Sequence, residues 1–382
     1  MLNPKSSMPS PRILSGIKPT GQPHIGNYFG MMRPAIEWQE RGEAFYFIAD
    51  YHALTSVFDP AKLREYVRGV ALDFLACGLD PAKAVLFRQS DVPQHTELAW
   101  LLSCQTPMPM LENCHAYKDH LAKEKTPSHG LFAYPVLMAA DILIYDSNIV
   151  PVGRDQKQHV EVTRDLAHKM NALYGPIFTV PEASILPALA VIPGLDGQKM
   201  SKSYGNTIEL FPEEKALRKK IMGIVTDSTP VESPKDPAGS AIVALYRLFA
   251  TAAEVEKMEA EFRAGGTGYG DFKKRLFGAI WEFFALQRAR RAELAADPGY
   301  VDGVLADGAL RAGALAEQVM KRVRGAVGLL YSRHARNHTH PTAAFHERGA
   351  GGRTGRRARR RGAAGDSRGG AEHRGGDADA GA

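Results

Sequence analysis

The chain has 382 residues, with 48 Lys and Arg against 42 Asp and Glu, a formal charge of +6. Eleven Arg and five acidic residues fall in 331–382, so the first 330 residues balance at 37 bases and 37 acids. That balance excludes a uniformly basic, nucleic-acid-coating body, and any polyanion it binds must be held by local patches.

A hydrophobic fraction of 44%, with no run of about 20 apolar residues, gives no membrane-spanning helix. The first eleven residues are polar and Pro/Ser-rich, without the apolar stretch of a secretory signal. Cys77, Cys104 and Cys114 form neither a disulfide framework nor a C-x-x-C pair. Reduced thiols in a cytoplasmic protein without a resident metal are expected.

Residues 12–17 are β-prone and end at a Lys-Pro-Thr-Gly turn. A helix is predicted from Ile25–Gly26 toward Arg41, kinked at Pro34. Residues 45–54 read as a buried strand, and Asp59 as the cap of a helix that Pro60 opens and that runs to Ala76. Residues 84–89 read as another strand. Pro135 marks the start of a helix over 137–145, with Met138, Asp141, Ile142 and Tyr145 on one face. Strands over 148–152 and 189–192 flank a helix over 156–173.

This alternation predicts a doubly wound α/β fold with a parallel sheet, its ligand site outside the carboxyl ends of the strands. From 212 to 329 only helices are predicted, over 241–250, 253–263, 272–295 and 307–327. The expected organisation is therefore a Rossmann-like catalytic domain over 11–211 and a helical domain over 212–330. The tail over 331–382 lacks Leu, Ile, Val and Met and is expected to be disordered.

Two motifs carry chemistry. Pro23-His24-Ile25-Gly26-Asn27 follows the first strand and opens the first helix. Lys199-Met200-Ser201-Lys202-Ser203 lies in a loop just before the helical segment. Either alone is commonly a tight turn or a solvated loop. Together, about 175 residues apart at the two ends of one α/β region, they resemble the paired signatures of class I aminoacyl-tRNA synthetases, with Asn27 in place of a second His.

The resemblance narrows further. Residues 15–21 leading into Gly26-Asn27-Tyr28, residues 131–143, residues 150–159 and residues 225–228 are similar to tryptophanyl-tRNA synthetases, and the likeness runs over roughly 12–329. It implies activation of L-tryptophan with Mg2+-ATP, transfer to tRNA(Trp), and a cytoplasmic homodimer. His24, Asn27, Lys199 and Lys202 then match catalytic positions. Lys18, Pro19, Thr20, Gly26, Asn27, Gly153, Arg154, Asp155, Val191 and the loop Lys199, Met200, Ser201, Lys202, Ser203 match nucleotide contacts. Asp141 matches the carboxylate that accepts the indole N–H, and His52, Tyr134, Met138 and Gln156 match other tryptophan contacts.

Lys18 and Arg154 stand where many bacterial members have Gln and Glu, which adds positive charge beside the nucleotide. Tyr51 stands where many have Gln. The chemistry suits these residue types: in-line attack of a carboxylate on the α-phosphorus releases pyrophosphate, and the enzyme supplies position and positive charge. No inserted editing domain is present, since a site for the largest amino acid rejects smaller ones by lost contacts. For tRNA, basic runs at 215–220, 273–275, 288–291 and 321–324 are candidates. A tyrosyl enzyme, a non-catalytic paralogue and a smaller nucleotidyltransferase are the alternatives.

Overall fold

The computed structural model describes residues 11–123, 126–153, 156–185 and 192–331. Five parallel strands form one sheet: β1 (Arg12–Ile17), β2 (Glu43–Ile48), β3 (Ala84–Arg88), β4 (Ile149–Val152) and β5 (Glu182–Ile185). Their order is β3-β2-β1-β4-β5. The chain thus winds outward in both directions from β1. This opens a crevice where β1 and β4 end, the point at which doubly wound sheets bind ligands.

The apolar run of β2 has the composition of a strand covered on both faces. Ala44, Tyr46 and Ile48 point into one core, shared with the helix Pro60–Ala76 and with apolar residues from Ile242 to Leu305. Phe45 and Phe47 point into the other, shared with the helices Gln94–Ser103, His129–Leu143 and Lys157–Tyr174. The segment after 212, helical as predicted, is therefore packed into the same compact unit as the sheet.

Its last helix, Pro298–Ala326, contributes Val301 and Leu305 to the first core and Ala312, Ala316 and Val319 to the second. It passes from one face to the other around edge strand β3. The crossing is at Gly308, where a Cβ would stand 1.9 Å from the Leu86 carbonyl oxygen, so only glycine fits.

Several expectations are corrected. The strand predicted over 45–54 stops at Ile48, and Asp50–Ala53 forms a helical turn. The Asp50 carboxylate accepts from the backbone N–H of Tyr51 (3.1 Å) and Ser90 (2.9 Å), which fastens that turn to the end of β3. Pro135 lies inside the helix His129–Leu143 rather than at its start. Ser128 caps that helix two turns earlier by accepting from Leu131 N–H (3.2 Å).

Around Pro34 there is no simple kink. Ile25–Asn27 is α-helical, Tyr28–Met32 is a π-turn and Arg33–Trp38 is α-helical again. Arg33 N–H donates to Tyr28 O, five residues back, and this wider turn accommodates a proline that has no N–H to give. The helix predicted over 272–295 is two, Tyr269–Phe283 and Ala285–Ala296. The last begins at Pro298, with Asp297 accepting from Tyr300 N–H (3.0 Å). Of the strand predicted over 189–192, only Ile192 lies within the described residues, and it is not in a strand. The tail over 332–382 lies outside them.

Candidate active site

A cavity of about 1130 Å³ opens at the β1/β4 crevice. One wall is the turn after β1. His24 stands at the N-cap of the first helix without a side-chain cap bond, and Asn27 Oδ1 accepts from the His24 backbone N–H (3.1 Å). A Cβ at Gly26 would stand 2.9 Å from the His24 ring and 3.6 Å from Met200 Sδ, so this glycine lets the two motifs close on each other.

The first motif is also tied through the backbone to the segment that follows the lysine loop. Ile25 N–H donates to Ile208 O (2.9 Å) and Leu210 N–H to Pro23 O (2.9 Å). The opposite wall is the loop 199–203. Met200 is its buried root, with its N–H on Ile192 O (2.8 Å). Asn206, also buried, braces the loop: it accepts from Ser201 N–H (2.8 Å) and donates to Asp196 Oδ1 (2.7 Å) and Lys199 O (3.1 Å). The Ser201 and Ser203 hydroxyls bond each other (2.8 Å).

This end is cationic. The Lys202 ammonium reaches the 18–21 turn, 3.4 Å from where a Cβ at Gly21 would stand, and the Lys18 ammonium donates to Thr55 Oγ1 (2.7 Å). Surrounding protein desolvates both ammonium groups and lowers their pKa. His24 is buried with no hydrogen-bond partner for Nδ1. Burial, then the Lys202 charge, lowers it to about 4 against an opposing pull from Glu209. It is a neutral imidazole at pH 7, holding an unsatisfied polar atom where an anionic ligand would enter.

The far end is closed and paired. Asp141 is fully buried yet lines the cavity. Oδ1 accepts from Gln89 Nε2 (2.7 Å) and contacts His95 Nδ1 (2.6 Å); Oδ2 contacts His52 Nε2 (2.8 Å). Burial alone would raise its carboxyl, but the hydrogen bonds from His52 and His95 overcome that and hold it at about 2. A ligand N–H is therefore not needed to offset the burial. Tyr134 stands edge-on to His52 (6.2 Å between rings), and its hydroxyl meets His159 Nε2 (2.6 Å).

The family model described as "tRNA synthetases class I (W and Y)" matches residues 7–285. The tryptophan–tRNA ligase of Rhodopirellula baltica is 57% identical over 318 residues, covering 83% of this chain and 99% of its own. The structure of tryptophanyl-tRNA synthetase from Campylobacter jejuni complexed with ADP and tryptophan superposes with a TM-score of 0.80 at 46% identity, over 83% of this chain and all of that one.

The chain belongs to the tryptophanyl-tRNA synthetases. As a member of that family it is an ATP-dependent ligase that joins tryptophan to tRNA(Trp). The tyrosyl enzyme of Archaeoglobus fulgidus matches at 20% identity with a TM-score of 0.57, a likeness of fold alone.

The cavity brings together most of the positions singled out in the sequence. Lys18, His24, Gly26, Asn27 and Gly153 line it, as do Lys199, Met200, Ser201 and Lys202. So do His52, Tyr134, Met138, Asp141 and Gln156 at the other end. Gln156 stands at the N-cap of its helix, but its side chain does not close the cap. Pro19, Thr20 and Ser203 flank the cavity without lining it. Arg154, Asp155 and Val191 lie outside the described residues.

The sequence reading missed Gln89, His95 and Asn206. Gln89 ends the predicted third strand, where ligand-facing residues of such sheets belong, and Gly205-Asn206 is a turn pair directly after the lysine loop. Those were the available signals.

Proposed function

We propose that this cavity joins tryptophan to AMP, with the indole at Asp141 and the phosphates between His24 and Lys202. The observation that carries this reading is the polarity of one cavity: a buried, ionised carboxylate at its closed end and, at its open end, ammonium groups that have no acidic partner among the described residues. Asp141 Oδ2 keeps one acceptor position for the indole N–H. Met138 and Tyr134 pack the ring, and Gln156 meets the polar part of the amino acid. The tryptophan carboxylate attacks the α-phosphorus of ATP, and pyrophosphate leaves. Charge building on the leaving group meets Lys199, Lys202 and the His24 N–H. A ribose hydroxyl at the tRNA end then attacks the aminoacyl carbonyl and displaces AMP.

Among the described residues no group of three or more His, Cys, Asp or Glu is placed to hold a metal. The phosphate end offers cations and hydroxyls rather than carboxylates, which suits magnesium carried in on the nucleotide's own oxygens. Bound there, magnesium would screen the phosphate charge.

Residues 212–330 would hold tRNA, and most of the basic runs in the described chain are already paired. Lys220 holds Glu209, Arg275 holds Glu261, Arg291 holds Asp73 and Arg324 holds Glu97. Exposed Lys215, Arg218 and Lys219 are the better candidates. Exposed Trp100 and Met108 support a homodimer, and unpaired Cys77, Cys104 and Cys114 suit the cytoplasm. ATP–pyrophosphate exchange with single amino acids tests the reading. Exchange with tryptophan is expected, and exchange with tyrosine alone overturns it.

A further inference from the structure

Three elements converge on Asp141 from outside its own helix. Gln89 follows β3, His95 lies on the helix Gln94–Ser103, and His52 lies on the turn after β2. A carboxylate has about four acceptor positions, two on each oxygen. Gln89 and His95 fill Oδ1, while among the described residues Oδ2 meets only His52.

His95 is fully buried and does not line the cavity, so it cannot touch a ligand there. Its second nitrogen, Nε2, meets the Tyr145 hydroxyl (2.7 Å). With Nδ1–H donating to the carboxylate, Nε2 is left to accept from Tyr145 O–H, and both polar atoms of the ring are satisfied. The ring is wedged 6.1 Å from both Phe47 and Phe87 and 5.4 Å from Tyr145. Packing thus fixes its orientation, and with it the direction of the donated hydrogen bond.

We propose that His95, braced by Tyr145, is a positioning residue for amino-acid specificity: it fixes the Asp141 carboxylate so that Oδ2 meets the indole N–H. This rests on the reading of Asp141 as the indole acceptor. Without the His95 donor, a buried carboxylate turns about its side-chain torsion or takes up a proton. A carboxylic acid donates as well as accepts, so it no longer selects for a ring N–H.

The test compares kcat/KM in ATP–pyrophosphate exchange for tryptophan and for 3-(1-benzothiophen-3-yl)alanine, a sulfur isostere without the N–H, using the full chain. Two variants of similar size separate positioning from packing. His95→Asn keeps an amide donor near the place of Nδ1. His95→Gln carries its amide to the place of Nε2 and withdraws the donor from Asp141.

The preference for tryptophan is expected to survive in His95→Asn. It should fall about tenfold to a hundredfold in His95→Gln, through KM for tryptophan, with KM for ATP unchanged. A merely structural lesion lowers both substrates together and leaves their ratio alone. Equal ratios in the two variants, beside a wild type that prefers tryptophan, overturn the role of His95. A wild type without any preference overturns the reading of Asp141, and this proposal with it.

Discussion

The two ends of the cavity solve opposite problems. At the end proposed for the indole, Asp141 is fully buried and already bonded to buried Gln89 (2.7 Å) and His95 (2.6 Å). At the phosphate end Lys202, Ser203 and Tyr204 are exposed, and among the described residues neither the Lys199 nor the Lys202 ammonium has an acidic partner. A group that must discriminate shape is satisfied before the ligand arrives, so only a ring with an N–H in the right place adds to it. On the proposed assignment, the groups that neutralise a polyanion have no acidic partner among the described residues, so the ligand itself supplies the counter-charge. The first arrangement gives selectivity through rigidity; the second keeps electrostatic stabilisation available for the transition state.

Breaking the phosphate end should have the largest effect. Lys202→Ala is expected to slow single-turnover activation by about 10²- to 10³-fold, while calorimetry gives an unchanged Kd for tryptophan. A parallel loss of tryptophan affinity would show that the two ends are not separable. Breaking the indole end comes next. Asp141→Ala leaves the His52, Gln89 and His95 groups without their acceptor and should cost about 3 kcal/mol of stability. Asp141→Asn, closer in size, should cut kcat/KM for tryptophan about a hundredfold; unchanged kcat/KM in Asp141→Asn would refute the indole assignment.

A subtler change sharpens the comparison. Asn206→Ala removes the bonds that shape the lysine loop and should raise KM for ATP by about tenfold. Its ratio of tryptophan to the sulfur isostere should stay at the wild-type value, and a change there would mean the loop helps select the amino acid.

The effect of pH is smaller. His24 titrates at its ordinary 6.5 when unfolded and at about 4 when folded. Between those values the unfolded chain binds more protons, so His24 subtracts stability as pH falls through that window. Urea midpoints measured from pH 6.5 to 4 should decline more steeply in wild type than in His24→Asn, and equal slopes would remove the burial argument. The smallest effect is expected from truncation after Leu330, which should leave tryptophan activation intact and at most weaken salt-sensitive RNA binding in filter assays.

How much of this was legible follows from what each feature depends on. The helix from Pro60 was readable because Asp59 and Pro60 act locally, and Asp59 Oδ1 accepts from Ala61 N–H (2.8 Å) and Lys62 N–H (3.2 Å) as capping chemistry requires. The strand β5, Glu-Ala-Ser-Ile, was not, because it is short and only weakly apolar. The break after Ile48 was hidden because Ala49-Asp50-Tyr51-His52-Ala53 goes on alternating apolar or aromatic with polar residues as a strand would, while a contact to Ser90, 40 residues away, turns the chain. The same distinction holds at the site. His24, Asp141 and Lys202 stand in motifs with their own spacing. Gln89 and His95 matter only because three separate segments fold onto one carboxylate, and no local pattern announces that.

The helix Pro298–Ala326, which rounds the edge of the sheet at Gly308, has a consequence for how the molecule is made. Synthesis proceeds from the amino end, so Leu86 leaves the ribosome more than 200 residues before Gly308. That delay is roughly 10–40 s at about 5–20 residues per second. Throughout it, β3 presents a bare edge on which a neighbouring nascent chain could pair. The closing helix is thus a late seal. A message cut short between 211 and 298 would encode both signature motifs in full, yet yield a chain more prone to clump on the polysome than to charge tRNA.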